Sequence, residues 1–255
     1  MHKFLERLNS RNGQRVLLLL FVLTALSFSI VPLINLAAGR GAKDYKLWYS
    51  IGQTVLHGGA IYPGPKERYP FMYPPPAAEM LAPVSWFGQA GLIAILALLN
   101  SVAWWACIAW SIRLTTPAGE RPHALLYLVP NLVILAYVWS CYLLGQPTLL
   151  LLSLLLAGFL ALRAKRSWTA GGLFALAAVI KAFPIAAIAY LVWRRYWLAT
   201  ASLLLSLLLL LLILPATFRG WSGAKDDLMR WSNGMLFQYD ERGIAQRPER
   251  SVAWK

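Results

Sequence analysis

Charged side chains are scarce in this sequence of 255 residues. They make up 13% of it, about half the share of an average soluble domain, while apolar residues make up 59%. The mean hydropathy is +0.56. A soluble fold could not bury this much apolar surface, so the composition excludes a soluble globular protein and predicts an integral membrane protein.

Acidic side chains are rarer still. There are 10 of them against 24 lysines and arginines, which gives a net charge of +14. An excess of positive charge is also typical of nucleic-acid-binding proteins. Here the basic residues form short clusters between apolar runs, which is the positive-inside pattern of a membrane protein. The charge therefore indicates contact with lipid headgroups, and we predict no nucleic-acid partner.

Cysteine and histidine are nearly absent. Cys107 and Cys141 both lie within apolar stretches, which favours two buried thiols over a disulfide. The three histidines, His2, His57 and His123, have no partner at metal-ligand spacing. We therefore predict no metal site and no cofactor.

Apolar runs of roughly 20 residues predict the membrane-spanning helices. These runs lie near 16–36, 91–112, 124–143, 147–162 and 197–216. The basic stretch 3–15 precedes the first run, which is longer than the core of a signal peptide and has no cleavage site. The first run is therefore interpreted as a retained span.

The run 168–193 is interrupted halfway by Lys181 and Pro184, and basic clusters flank both of its ends. A single crossing would place one of these clusters on the wrong side of the membrane. Two short helices that dip into the membrane and return keep both clusters cytoplasmic, with the corner 181–184 towards the outer side. With this hairpin we expect about seven membrane helices in an all-α polytopic protein.

The resulting topology is that of a protein of the cell (inner) membrane, with its N-terminus in the cytoplasm. A loop at 37–76 and a tail at 217–255 then lie on the outer side, and 1–255 form a single transmembrane domain. The tail is polar, contains tryptophans and stops without a further span. This ending leaves open that the chain is the N-terminal part of a longer protein.

The outer loop has the composition of a structured segment, with many aromatic residues among glycines and prolines. Within it, 44–56 carries apolar side chains at the spacing of an amphipathic helix in the membrane interface. Asp44 would stand in the first turn of that helix. The simpler role for an aspartate there is to cap the helix, although a capping carboxylate can still act in catalysis.

Three further motifs follow along the chain. The proline-rich stretch 69–76 imposes a rigid, extended backbone ahead of the next helix. Gln146 lies in a Gly-Gln-Pro sequence at the outer end between two spans, where a tight turn is the simplest interpretation. Lys181 is interpreted as the only ionisable residue deep in an apolar stretch, which favours an anionic partner or a cavity. Snorkelling to the outer interface is the alternative.

Taken together, these features resemble glycosyltransferase family 87, the polyprenyl-phosphate-mannose-dependent mannosyltransferases of the GT-C superfamily. The residues that carry the resemblance are Asp44, Tyr45, Tyr49, the stretch 56–62, Tyr73-Pro74-Pro75, Gly145-Gln146 and the stretch 181–184. The family often has Tyr-Pro-Pro-Phe, Gly-Gln-x-Asn and Lys-Pro-x-Pro. This chain departs from those patterns at Pro76, at Thr148 or Leu149, and at Ala182.

The resemblance implies a GT-C type fold and a membrane glycosyltransferase that transfers a sugar with inversion at the outer face. The donor would be a polyprenyl-phosphate sugar drawn from membrane lipid, commonly with mannose, and the acceptor a lipid or glycan. Asp44 would be the base that takes the acceptor's proton, and Lys181 would bind the donor phosphate. Four further residues would shape the sugar and acceptor pocket: His57, Tyr62, Tyr73 and Gln146. The sugar and the acceptor stay open.

Two other classes of protein also stay open. A lipid or small-solute transporter usually has buried carboxylates or histidines near the membrane midplane and repeated halves, and neither is apparent in the sequence. A non-catalytic scaffold for envelope assembly would use the aromatic outer loop to dock proteins. Convergence of Asp44 and Lys181 on one lipid-accessible cavity would favour the enzyme.

Overall fold

The computed structural model describes residues 8–40, 44–62, 71–117, 119–120 and 122–237. Over these residues the regular structure is helical and no strand is formed, which confirms the predicted all-α class. The helices are α1 (Arg11–Ala37), α2 (Asp44–Leu56), α3 (Pro75–Ser85), α4 (Gly88–Thr115), α5 (Leu125–Leu144), α6 (Thr148–Arg163), α7 (Ser167–Ile180), α8 (Ala187–Trp193), α9 (Trp197–Leu208) and α10 (Leu214–Ser232). A 3-10 turn, Phe183–Ala186, precedes α8, and a π-helical turn, Leu209–Ile213, joins α9 to α10.

Within the described part, four helices are long and apolar enough to cross a membrane. They are α1, α4, α5 and the stretch Trp197–Met235. Helices α6 and α7 and the stretch Phe183–Trp193 are shorter and also apolar. Many large apolar side chains of these seven segments are exposed, among them Val133 of α5 to 73%. Such exposure is unfavourable in water and favourable in lipid. The predicted multi-pass membrane protein is therefore confirmed.

A hairpin joins α7 to α9. The two helices run side by side in the same direction, because Ser202 Oγ donates to the Trp168 carbonyl at 2.7 Å and, one turn further along both helices, a Cβ on Gly172 would lie 3.7 Å from Ser206 Oγ. Two such helices can run parallel only if the chain between them returns to its starting end. The turn begins at Lys181, directly after α7, so the predicted hairpin is confirmed.

The proline motif 69–76 leads directly into α3. Pro74 has an extended backbone, with φ −58° and ψ 156°, and α3 begins directly after it. Pro75 and Pro76 occupy the first turn of α3, where a helix needs no amide hydrogen. The predicted extended backbone is thus confirmed at Pro74 and is wrong for Pro75 and Pro76, which are already helical, while Tyr69 and Pro70 lie outside the described residues.

The chain divides into two compact units. The first comprises Met1–Lys46 and Gln89–Arg166, and the second comprises Leu47–Gly88 and Ser167–Lys255. The single domain over 1–255, the outer loop 37–76 and the outer tail 217–255 stay predictions. Of that tail, the structure describes the part up to 237, which is largely helical.

The core of the first unit is aromatic where α1, α4 and α5 meet. Phe28 of α1 lies 6.2 Å from the ring of Trp104 in α4 and 5.7 Å from the ring of Tyr142 in α5. Ser101 and Tyr142 share a hydrogen bond of 2.8 Å between α4 and α5. Tyr142, near the end of α5, is therefore fixed from two sides.

Candidate active site

Asp44 is the first residue of α2, in agreement with the helix predicted at 44–56. Its half-buried carboxylate accepts a hydrogen bond at Oδ2 from Nε2 of Gln146. Among the described residues it accepts none from the backbone amides of its own helix. The partner of Asp44 is thus a side chain 102 positions away rather than the helix end, which argues against a role limited to capping.

Gln146 reaches Asp44 because of the residue before it. Gly145 ends α5 in the left-handed conformation, with φ +75°, which glycine adopts without strain. A Cβ on Gly145 would lie 3.0 Å from the ring of Tyr45. The turn therefore needs a glycine both for its backbone conformation and for the packing of this ring, and the Gly-Gln pair forms one structural unit.

Tyr45 anchors the start of α2. Its side chain is fully buried, and its hydroxyl donates to the carbonyl oxygen of Tyr142 at 2.7 Å. Burial raises the pKa of Tyr45, with further contributions from Tyr142 and Cys141. The phenol therefore keeps its proton and remains a hydrogen-bond donor, which holds the neighbouring Asp44 in place.

In the second unit, Lys181 lies at the corner of the hairpin above the ring of Tyr73. Its half-buried ammonium is 5.8 Å from the ring centroid, a distance at which a cation is attracted to an aromatic face. The hydroxyl of Tyr62 donates to the carbonyl of Tyr73 at 2.6 Å. Lys181, Tyr62 and Tyr73, three residues predicted for the site, therefore form one cluster.

Further aromatic rings pack against this cluster. Trp48 of α2 meets the ring of Tyr73 edge-on at 4.9 Å and the ring of Phe71 at 6.0 Å. Phe71 and Tyr62 are completely buried. Because close-packed rings have few alternative rotamers, Tyr73 presents a fixed face to Lys181.

His57 lies apart from these contacts. It is exposed one residue after the end of α2, and its Nδ1 forms a hydrogen bond of 2.7 Å with the carbonyl of Gln53 in the preceding turn. Its role in the sugar pocket stays a prediction. Asp44 and Gln146 belong to the first unit, and Lys181 and Tyr73 belong to the second. Convergence of Asp44 and Lys181 on one cavity therefore remains the observation that would favour the enzyme.

Glu79 was missed by the sequence analysis. It lies in the middle of α3, between apolar neighbours, with a side chain that is 1% exposed. Lys181 is therefore not the only ionisable residue deep in an apolar stretch, and that prediction is wrong. The signal was present in the sequence, because Glu79 is the sole charge between Pro74 and Phe87.

Burial raises the pKa of Glu79 to about 8. The backbone amide of Glu79 itself and the charge of Arg219 oppose this rise, and the charge of Asp227 adds to it. Over the described residues, neither carboxyl oxygen of Glu79 accepts a hydrogen bond from another residue. Asp227 instead forms an ion pair with Arg219, whose Nη1 also donates to the carbonyl of Gly59 at 2.7 Å. Burial thus favours the protonated form of Glu79 at neutral pH, beside the carboxylate of Asp227, which is already paired with Arg219.

Metal ligands do not gather in the described part of the chain: no three His, Cys, Asp or Glu side chains there are placed to hold an ion. The chemistry available to the first unit is that of a positioned carboxylate. The chemistry available to the second is that of an ammonium on an aromatic face.

Residues 71–254 match the model of glycosyltransferase family 87. The match contains Tyr73, Gln146 and Lys181, whereas Asp44 lies ahead of its first residue. No curated protein and no solved structure matches the chain.

Proposed function

Because the chain belongs to glycosyltransferase family 87, we propose that it transfers a sugar from a polyprenyl-phosphate donor to a lipid-linked or glycan acceptor, with Asp44 as the base. A membrane glycosyltransferase uses a sugar donor and an acceptor. The proposal adds the donor class, mannose as the sugar and inversion at the anomeric carbon. It also places the reaction on the outer face of the cell membrane.

The observation that supports it best is the contact between Asp44 and Gln146. These residues were singled out in two separate motifs, and their side chains are hydrogen bonded. Gln146 donates to Oδ2 of the carboxylate, and within the described residues Oδ1 has no hydrogen-bond donor. A carboxylate held at one oxygen and open at the other is suited to accept a proton from a hydroxyl group.

The proposed reaction is a single displacement at the anomeric carbon. Asp44 takes the proton of the acceptor hydroxyl while that oxygen attacks the anomeric carbon of the donor sugar. The new carbon–oxygen bond forms as the bond to the phosphate oxygen breaks, and the electron pair leaves with the polyprenyl phosphate. Attack from the face opposite to the leaving group inverts the configuration. Asp44 later returns the proton to water.

Lys181 has the charge that the leaving phosphate requires. In the proposed reaction its ammonium neutralises the negative charge that develops on the phosphate oxygen. The Tyr73 ring holds the ammonium from one face, at 5.8 Å, without cancelling its charge as a carboxylate would. A lipid-linked donor also fits a protein whose apolar helices lie in the membrane.

The orientation follows the positive-inside pattern, with a cytoplasmic N-terminus. Arg11, Arg113 and Arg163 lie near helix ends on the proposed cytoplasmic side. Asp44, at the start of α2, follows the opposite end of α1, and Gln146 follows the opposite end of α5. This arrangement supports an active site on the outer side.

The test measures sugar transfer from radiolabelled polyprenyl-phosphate mannose to membrane lipid acceptors in proteoliposomes. We expect Asp44→Asn to lower the rate by roughly 100-fold or more, the usual contribution of a general base. Asp226→Asn is the matched control, because Asp226 is an exposed aspartate. Transfer should persist in this control.

Thermal unfolding of each purified variant shows whether the fold is retained. Undiminished transfer by folded Asp44→Asn would remove Asp44 from the chemistry. Transfer from a nucleotide sugar in place of the lipid-linked donor would exclude the proposed donor class while leaving the family unchanged.

A further inference from the structure

A cavity of about 480 Å³ lies between α1, α4 and α5 of the first unit. Its size is within the range of about 300–1,000 Å³ found for ligand sites. Leucine, isoleucine and aromatic side chains form most of its wall, together with Gln14, Thr24 and Asn131. We refer to it as the α1–α4–α5 groove.

The groove is confined to one half of these three helices. Its lining residues come from 14–24 in the first half of α1, 104–108 in the second half of α4 and 127–135 in the first half of α5. Asp44 and Gln146 follow the opposite ends of α1 and α5. The groove is therefore separate from the proposed catalytic residues.

Three of the polar side chains in the wall are hydrogen bonded within the protein. Trp104 Nε1 donates to Asn131 Oδ1 at 2.7 Å, and Asn131 Nδ2 donates to the carbonyl of Tyr127 at 2.6 Å. Thr24 donates its hydroxyl to the carbonyl of Leu20 at 2.8 Å. Because these three side chains have partners within the protein and most of the remaining wall is apolar, the groove offers an occupant mainly hydrocarbon.

The groove is also open to the outer surface of the three helices. Three of its lining residues, Leu18, Trp105 and Leu132, are exposed to 46%, 41% and 60%. These residues lie on helices long enough to cross a membrane. The surroundings are therefore lipid, and the molecules that reach the groove most readily are lipids.

Positive charge lies on the same face of α1 as two residues that line the groove. Arg11 is three residues before Gln14 and seven before Leu18, so the three side chains share one face of α1. Asn9 Oδ1 accepts a hydrogen bond of 2.7 Å from the amide of Ala124, which holds the starts of α1 and α5 together.

At the same end of the unit, Arg163 Nη1 donates to the carbonyl of Arg113 at 2.9 Å. This links the ends of α4 and α6. Of the described residues, Glu120 is the only acidic one in the connection between α4 and α5. Basic pockets between membrane helices on the cytoplasmic side are typical sites for anionic lipid headgroups.

We propose that the α1–α4–α5 groove binds an anionic phospholipid, with one acyl chain between the three helices and the headgroup phosphate at Arg11. In the predicted topology this lipid comes from the cytoplasmic leaflet. The site does not depend on the proposed catalytic chemistry, and it gives the first unit a lipid partner at the end opposite to Asp44.

The experiment measures lipid bound to the purified full chain by native mass spectrometry. Phosphatidylglycerol and phosphatidylcholine with identical dioleoyl chains are offered in equal amounts. We expect the wild type to bind phosphatidylglycerol preferentially. Arg11→Gln should reduce that preference by about five-fold, the contribution of one basic residue near an anionic headgroup.

Two groove-filling variants test the position of the acyl chain. Thr24→Phe and Leu132→Trp should both lower the binding of both lipids, and Leu132 is exposed, so its replacement should not disturb the fold. Arg194→Gln is the matched charge control, because Arg194 is an exposed arginine of the second unit. It should leave the preference unchanged.

Equal binding of the two lipids by the wild type would overturn the proposal. A preference that Arg11→Gln leaves unchanged would also overturn it. If phosphatidylglycerol binding is unaffected in both groove-filling variants, the lipid lies elsewhere and the proposal fails.

Discussion

Two carboxylates, one on α2 and one on α3, have opposite surroundings. Asp44 opens α2, is half-buried and accepts a hydrogen bond from Gln146. Glu79 lies within α3, is 1% exposed and, over the described residues, accepts no hydrogen bond from another residue. A carboxylate with a donor is placed to gain a proton during a reaction, whereas burial without a donor favours one that already carries its proton.

The comparison predicts which carboxylate limits the rate. Asp44→Asn should reduce sugar transfer by about 100-fold or more. Glu79→Gln should change the rate at pH 7 by no more than a small factor, because glutamine resembles the protonated acid that Glu79 already is. Sugar-transfer rates of the two variants, measured side by side in proteoliposomes, test this prediction. Equal losses of activity in the two variants would mean that Glu79 also takes part in the reaction.

For the stability of the fold, the larger effect is expected at Glu79. The pKa of Glu79 is about 8 in the folded protein, against an ordinary value of 4.5. The folded chain therefore keeps a proton that the unfolded chain releases, and stability falls as the pH rises from about 4.5 to about 8. Above about 8 no further loss is expected from this group.

Glu79→Gln removes this loss. The variant should be more stable than the wild type by about 3–5 kcal/mol at pH 9, and the difference should shrink towards zero near pH 4. Thermal unfolding in detergent at several pH values measures it. Glu120→Gln, at an exposed residue, is the control and should show no such pH dependence. A difference that does not vary with pH would contradict the protonated state of Glu79.

The turn that positions Gln146 gives a smaller effect. Gly145→Ala introduces a side chain at φ +75° and brings its Cβ to 3.0 Å from the Tyr45 ring, so we expect a loss of about 2–3 kcal/mol in stability and a lower transfer rate. Gly39→Ala is matched in backbone, with φ +65°, but has no atom within 4 Å of the new Cβ.

Gly39→Ala should therefore lose only about 1 kcal/mol. The difference between the two glycine variants measures the contact with Tyr45. Equal losses in both would show that backbone conformation alone explains the glycine at 145.

The smallest effect concerns the hydroxyl group of Tyr45. Tyr45→Phe removes the hydrogen bond to the Tyr142 carbonyl and should cost about 1–2 kcal/mol, because that buried acceptor loses its donor. Tyr49→Phe, at a half-buried tyrosine of the same helix, is the control. Unchanged unfolding temperatures in Tyr45→Phe would show that packing on Gly145, rather than the hydrogen bond, fixes the start of α2.

Much of the fold could be predicted because it depends on local physics. Long apolar runs must form helices in lipid, where every backbone amide needs a partner. Lys181 and Pro184 interrupt one such run, and the basic clusters beside it required a hairpin, which the parallel course of α7 and α9 confirms. The helix at 44–56 was predictable from the spacing of its apolar residues.

The candidate site was predictable only as a set of residues. Resemblance to a family selected Asp44, Gln146, Lys181 and Tyr73, but it gave no contacts among them. The pairing of Asp44 with Gln146 depends on the left-handed turn at Gly145 and on the fit of one ring against it. Such a contact joins positions far apart in the chain, and no local pattern specifies it.

The sequence by itself determined the membrane class, the helices and the residues that can take part in chemistry, because hydropathy, charge clusters and proline act over a few neighbouring positions. Only the tertiary structure decided how each carboxylate behaves. The state of Asp44 or Glu79 depends on solvent exposure and on donors from distant segments. Packing sets both quantities, and for Glu79 it sets the pKa as well.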